Sequence, residues 1–122
     1  MAILRIAAQA AEDIAALLAH TDDRFGQLAR LRYETLIVTA LRDIAREPER
    51  MGSIARPELG PDIRSYHLRH SRERARTEHG AVRRLRHLLL YRHAAADVVG
   101  IGRVLHDAME LERHRPTEFG DG

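Results

Sequence analysis

The stretch Arg84-Leu-Arg-His-Leu-Leu-Leu-Tyr-Arg92, followed by the connection His93–Asp97 and then by Val98-Val-Gly-Ile-Gly-Arg-Val-Leu-His106, decides the fold. Both outer runs are rich in apolar residues, and the connection between them is short. Two such runs joined in this way are typical of a β-hairpin. A parallel crossover is excluded because it needs a connection of roughly a dozen residues or more. The sequence therefore predicts an antiparallel hairpin over residues 82–105.

Two segments upstream of the hairpin carry apolar residues at helical spacing. The first stripe comprises Ala10, Ile14, Leu17 and Leu18, and the second comprises Tyr33, Ile37, Ala40, Leu41 and Ile44. These stripes predict helices near residues 8–20 and 26–47. Pro48 ends the second helix because proline lacks an amide hydrogen and its ring clashes with the preceding turn. Two helices with a short break between them predict an antiparallel helical hairpin.

The remaining segments complete the predicted topology. The short apolar run of residues 2–7 is a candidate strand, residues 49–62 are rich in glycine and proline and predict a loop, and residues 63–69 alternate as a strand does. The order strand, helix, helix and three strands predicts an α/β (more specifically α+β) fold. In this fold an N-terminal strand and a helical hairpin accompany a small antiparallel sheet.

The predicted helices and strands fit into a single domain. A chain of 122 residues fits one core, and we assign it to residues 1–116. The charged segment 70–80 is expected to be a mobile connection, and residues 107–114 to form a short helix before Pro116. Residues 117–122 are predicted to be a frayed C-terminal tail.

Composition narrows the class of protein. The chain has no cysteine, which excludes disulfides and thiolate metal sites. It shows neither a secretory signal nor the roughly 20-residue apolar run of a membrane helix, so we expect a soluble, cytoplasmic protein without membrane contact. The eight histidines include His67 and His70, which an odd spacing places on opposite faces of a strand. No metal and no cofactor is therefore expected.

The charge is concentrated in the middle of the chain. All the basic residues are arginine, and residues 64–92 hold nine arginines against Glu73 and Glu78 alone. A basic segment favours an acidic partner, either nucleic acid or a negatively charged protein. The alternative is a solvated strand face without a partner. The three tyrosines are scattered and tryptophan is absent, so base stacking, and with it direct sequence-specific nucleic-acid binding, is not expected.

Four parts of the chain together resemble the ParE/RelE superfamily, the toxins of type II toxin–antitoxin pairs, which are also called plasmid stabilisation proteins. The parts are Ala10-Ala-Glu-Asp-Ile-Ala15, the helix from Arg32-Tyr-Glu to Pro48, the entry Gly60-Pro-Asp-Ile-Arg64, and the hairpin from Arg84 to His106. The ending Arg103 to Glu110 is similar to that of the ParE branch. The resemblance implies a toxin that inhibits DNA gyrase without chemistry of its own and is neutralised by a ParD-like antitoxin.

Two other functions stay open at this point. The RelE branch cuts messenger RNA on the ribosome with basic residues and often a C-terminal tyrosine. This chain has no lysine, and no tyrosine follows Tyr91, which disfavours but does not exclude that branch. His87, Tyr91 and His106 are its candidate catalytic residues, whereas the ParE interpretation assigns none. The third possibility is a non-toxic member that only binds antitoxin.

Four arginines are the candidate partner-binding residues: Arg64, Arg86, Arg92 and Arg103. In one interpretation they form a basic face of the sheet that contacts an antitoxin or a target. In the other, Arg64 and Arg103 make structural ion pairs with Asp13, Asp43 or Asp107. The sequence does not distinguish between these.

Overall fold

The structure, a computed structural model, describes residues 1–121, and Gly122 lies outside the described residues. Its regular elements are the strands β1 (Ile3–Ile6), β2 (Ser53–Ala55), β3 (Ile63–His67), β4 (His87–Ala95) and β5 (Val98–His106), and the helices α1 (Ala8–Phe25) and α2 (Gln27–Arg46). Short 3-10 turns cover Pro57–Leu59, Leu68–Ser71 and Leu111–His114.

The strands form one sheet in the order β1-β5-β4-β3-β2. The pairs β3–β4 and β4–β5 are antiparallel, as predicted, and the pair β2–β3, which was not predicted, is also antiparallel. The N-terminal strand joins in parallel, with Ile3 opposite Val98 and Ile6 opposite Ile101, so the sheet is mixed rather than purely antiparallel. The predicted α+β class, with its N-terminal strand and helical hairpin, is confirmed.

The helical hairpin covers one face of the sheet. Gly26, at φ +92°, separates the two helices, so α1 extends five residues beyond the predicted end at residue 20. The inward stripe of α2, including Leu36, Ala40 and Ile44, is fully buried against sheet residues such as Tyr66, Leu89 and Ile101. This stripe has the helical periodicity that the sequence showed.

The opposite face of the sheet has its own apolar cluster. Its members are Leu59, Ile63, Leu88, Leu90, Leu105 and Phe119. Because both faces of β4 are buried, the run from Leu88 to Tyr91 is continuously apolar and does not alternate.

Strand β4 begins at His87, and its predicted start at Val82 is wrong. Both neighbouring strands end at this level: His67, the last residue of β3, lies opposite Leu88, and His106, the last residue of β5, lies opposite His87. Residues 82–86 thus have no strand beside them, and a strand exists only where a neighbour supplies hydrogen bonds.

Other irregular segments also differ from expectation. The predicted loop 49–62 contains β2, and the predicted helix over residues 107–114 is only the 3-10 turn Leu111–His114. The segment expected to be a mobile connection is anchored by Ser71, which is fully buried. Its hydroxyl donates to the carboxylate of Asp43 at 2.7 Å, and Asp43 is itself 2% exposed.

The described part of the C-terminal tail packs on the sheet through Phe119, contrary to the prediction that residues 117–122 are frayed; Gly122 lies outside the described residues. Phe119 is 5% exposed and lies over Gly100 and Gly102 of β5. A Cβ atom at Gly102 would come within 2.7 Å of the Pro116 ring and one at Gly100 within 2.4 Å of the Phe119 carbonyl oxygen. These glycines are therefore required for the close approach of the tail.

Replacing Phe119 with alanine tests whether the tail is part of the core. We expect Phe119→Ala to lower the free energy of unfolding by about 2–3 kcal/mol, since it deletes a buried ring at a site that can partly relax. Urea denaturation measures this loss, and Glu118→Ala, at an exposed neighbouring position, is the control. Equal stability of both variants would mean that the tail does not contribute to folding.

Candidate functional site

The four arginines predicted to bind a partner do not form one surface. Register places Arg64 opposite Tyr91, on the face covered by the helices, and Arg92 opposite Ile63, on the face covered by the tail. Arg103 lies opposite Leu90 on β5. Arg86 precedes β4 and is exposed.

Arg103 forms a structural ion pair with Asp13 of α1. Its Nε and second guanidinium nitrogen donate to the two carboxylate oxygens at 2.8 and 3.0 Å, and the Val104 amide donates to Asp13 at 2.9 Å. The side chains of Arg103 and Asp13 are only 18% and 17% exposed. Hydrogen bonding to Asp13 raises the pKa of Arg103. The pair fastens the start of α1 to β5.

Arg64 and Arg92 also have partners within the chain. Arg64 Nε donates to the Ser53 hydroxyl at 2.7 Å, and its guanidinium lies 3.3 Å from Glu49. Arg92 donates to both oxygens of Asp121 at 2.5 and 2.7 Å and stacks 4.7 Å from the centre of the Phe119 ring. The hydrogen bond from Arg92 lowers the pKa of Asp121. These contacts hold β2 and the tail, and a role of Arg64, Arg92 or Arg103 in partner binding stays a prediction.

Alanine substitutions separate the structural arginines from the free one. Arg103→Ala leaves Asp13 without its partner in a half-buried place, so we expect it to lower the free energy of unfolding by about 2–3 kcal/mol. Arg86→Ala should change it by less than about 0.5 kcal/mol, because the side chain is exposed. Thermal or urea unfolding of the two variants measures the difference, and equal losses would contradict the assignment.

The three candidate catalytic residues are not assembled into one site. His87 and His106 lie directly opposite each other with ring centres 5.4 Å apart. Tyr91 is four residues further along β4, roughly 13 Å away at the rise of a strand. It is fully buried, its hydroxyl donates to the Pro48 carbonyl and meets the Ser53 hydroxyl, and burial raises its pKa. Tyr91 is therefore placed to join β4 to β2 and not to act with the histidines.

The two histidines belong to a polar cluster at the end of the sheet. The Tyr33 hydroxyl lies 2.8 Å from His87 Nδ1, and Asp107 lies 3.0 Å from His67 Nε2. Burial first, and then the neighbouring His106, lower the pKa of His87 to about 4. Burial raises the pKa of Tyr33 to about 12. Both groups are uncharged at neutral pH, so His87 is a weak base there.

The lowered pKa of His87 predicts a pH dependence of stability. Because the folded protein disfavours protonation of His87, its contribution is complete above the unfolded pKa of about 6.5 and is lost as the pH falls toward 4. The loss is at most about 3 kcal/mol. His87→Gln should flatten the unfolding free energy between pH 6.5 and 4, whereas His20→Gln, at an exposed position, should not. An unchanged slope in His87→Gln would refute this assignment.

Sequence reasoning missed a cavity beside this cluster. A groove of about 650 Å³ lies between the tip of the helical hairpin and residues 72–84. Its charged lining side chains are all arginines: Arg32, Arg72, Arg76, Arg83 and Arg84. Tyr33 lines the groove and also contacts His87, so the groove reaches the polar cluster. The adjacent pair Arg83-Arg84 is the feature of the sequence that could have indicated the groove, but the apolar residues around it predict a strand there.

Two further findings concern the described residues. Within residues 1–121, no group of three or more histidine, aspartate or glutamate side chains is arranged to hold a metal ion. None of the helices in that part of the chain is both long and apolar enough to span a membrane.

The structure defines a small α+β protein in which a helical hairpin packs on a mixed five-stranded sheet. In comparison with known families, residues 4–111 match the family described as ParE toxin of type II toxin-antitoxin system, parDE. The chain therefore belongs to the ParE toxin family. No curated protein matches it. The match ends at residue 111, so the tail that packs over β5 lies outside the matched region.

Proposed function

We propose that this ParE-family toxin inhibits growth by acting on DNA gyrase in the cytoplasm and is neutralised by a ParD-like antitoxin. The observation that carries the proposal is the family match over residues 4–111. The gyrase target and the identity of the antitoxin come from the family resemblance of the sequence. A protein inhibitor of this kind needs binding surfaces and no reaction chemistry.

The arrangement of the candidate catalytic residues supports inhibition by binding. A general acid or base must lie within hydrogen-bond reach, roughly 2.6–3.2 Å, of the atom to or from which it transfers a proton. Tyr91 is buried away from the histidines, and the lowered pKa of His87, about 4, suits neither a base nor an acid at neutral pH. The chain's own geometry therefore favours a role without catalysis.

One observation favours a second candidate, a RelE-like ribosome-dependent messenger RNA endonuclease. His87 and His106 form a close pair beside the arginine-lined groove, and paired histidines can transfer protons to and from a phosphodiester. An assay for cleavage of ribosome-bound messenger RNA tests this candidate directly. A non-toxic member that only binds antitoxin would be inactive in both assays.

Purified protein distinguishes the candidates in two parallel assays. We expect it to inhibit supercoiling by gyrase and to leave ribosome-bound messenger RNA intact, because Tyr91 is buried away from the histidines and the pKa of His87 is lowered to about 4. In cells, induction should stop DNA replication and trigger the DNA-damage response. His87→Gln, His106→Gln and Tyr91→Phe should each keep most of the toxicity, provided that circular dichroism shows the fold intact.

The opposite outcome has a clear signature. Rapid cleavage of transcripts on induction, lost in His87→Gln or His106→Gln, would replace the gyrase proposal with the endonuclease. Absence of toxicity together with tight antitoxin binding would identify the non-toxic member.

A further inference from the structure

Residues 82–86 have the composition of a strand but no regular structure. They precede β4 directly, and Val82 and Leu85 pack against the main core. The neighbouring strands β3 and β5 end at His67 and His106. The place beside residues 82–86 where another strand would lie is therefore not filled by the sheet.

Most backbone groups of this segment have no hydrogen-bond partner within residues 1–121. The Val82 carbonyl accepts from Arg72 Nε at 2.7 Å, and the Arg86 carbonyl accepts from the Asp107 amide at 2.6 Å. The Arg86 amide is in hydrogen-bond contact with the Tyr33 hydroxyl. In the described part of the chain, no amide of residues 81–85 donates to another backbone group or to a side chain. Unpaired amides and carbonyls next to a sheet are a template for an added strand.

The same segment carries three exposed arginines. Arg83, Arg84 and Arg86 are all exposed, and none of them forms an ion pair with another residue of the described range 1–121. The other arginines of the groove are engaged: Arg32 donates to the His79 carbonyl at 2.9 Å, and Arg76 pairs with Glu73 at 3.2 Å. Three unpaired positive charges thus lie within four residues, on a stretch where most of the backbone is also unpaired.

These two properties together favour a polypeptide over a nucleic acid. Arginines alone bind phosphate or carboxylate equally well. Nucleic acid, however, cannot supply the alternating amides and carbonyls that pair with a strand, whereas an extended peptide can. The groove also has apolar surface, with Tyr33 and Val82 in its lining and Phe25 67% exposed at its rim. An apolar centre with a charged rim is typical of protein interfaces.

We propose that an extended acidic segment of the antitoxin adds as a strand beside residues 82–86, which then continue β4 toward its N-terminus. The acidic side chains of that segment pair with Arg83, Arg84 and Arg86, and an apolar side chain enters the groove next to Tyr33. Arg84 and Arg86 share one face of such a strand because they are two residues apart. This inference rests on the proposed pairing with an antitoxin and names its docking site.

Charge reversal with matched controls tests the docking site. The full-length protein is mixed with the purified antitoxin encoded beside it, and affinity is measured by isothermal titration calorimetry. Arg84→Glu/Arg86→Glu should weaken binding at least about tenfold. Arg42→Glu/Arg46→Glu changes the net charge equally at two exposed arginines of α2 that form no ion pair in the described part of the chain, and it should weaken binding much less.

Hydrogen exchange supplies the readout that charge alone does not. On addition of antitoxin, every second amide of residues 82–85 should exchange at least about tenfold more slowly, because alternate amides point toward the added strand and enter the ladder. Normal affinity of Arg84→Glu/Arg86→Glu with no protection of residues 82–85 would overturn the docking site and leave the antitoxin proposal intact. Protection by a DNA oligonucleotide, and not by the antitoxin, would assign the segment to nucleic acid instead. If the antitoxin does not bind the unmodified protein at all, the proposed function itself fails.

Discussion

The pairing of β4 with β5 is the constraint on which the rest of the structure depends. These two strands are central, since β4 also pairs with β3 and β5 also pairs with β1. Both faces of the pair are buried, one by the helical hairpin and the other by the C-terminal tail. The glycines of β5 allow the tail to pack against the second face, because a side chain at Gly100 or Gly102 would collide with the tail. The pairing of β4 with β5 ends where His87 lies opposite His106, and residues 82–86 beyond this point are not part of the sheet.

That dependence explains which elements could be predicted from the sequence. Local periodicity placed α2 and β5 correctly, because a buried stripe and a buried run are recorded in the residues themselves. The start of β4 could not be predicted, since Val82 and Leu85 look like strand residues whether or not a neighbour lies beside them. The packed tail was missed for a related reason. Phe119 is a single apolar residue among polar ones, and only the glycine pair Gly100 and Gly102, 17 residues or more away, makes room for it.

The arginines of the candidate site likewise show what cannot be predicted from the sequence. A basic segment was visible in the sequence, but its members have different tasks in the structure. Arg103 and Arg92 hold α1 and the tail through carboxylates far away in the chain, and such partners cannot be read from a local pattern. Within residues 64–92, the arginines that are exposed and form no ion pair are Arg69 and the three before β4, and of these only Arg86 is a partner-binding candidate from the sequence. An arginine is a candidate for partner binding when no carboxylate of the folded chain forms an ion pair with it.

We propose that this toxin acts through docking surfaces, and that the principal one is the unfilled strand position beside residues 82–86. A backbone assignment of the complex with antitoxin by nuclear magnetic resonance tests it most directly. We predict cross-strand contacts between amides of the antitoxin and those of residues 82–85, with chemical shifts typical of a strand in both. Residues 82–85 that keep the shifts of the free protein while the antitoxin is bound elsewhere would contradict the account.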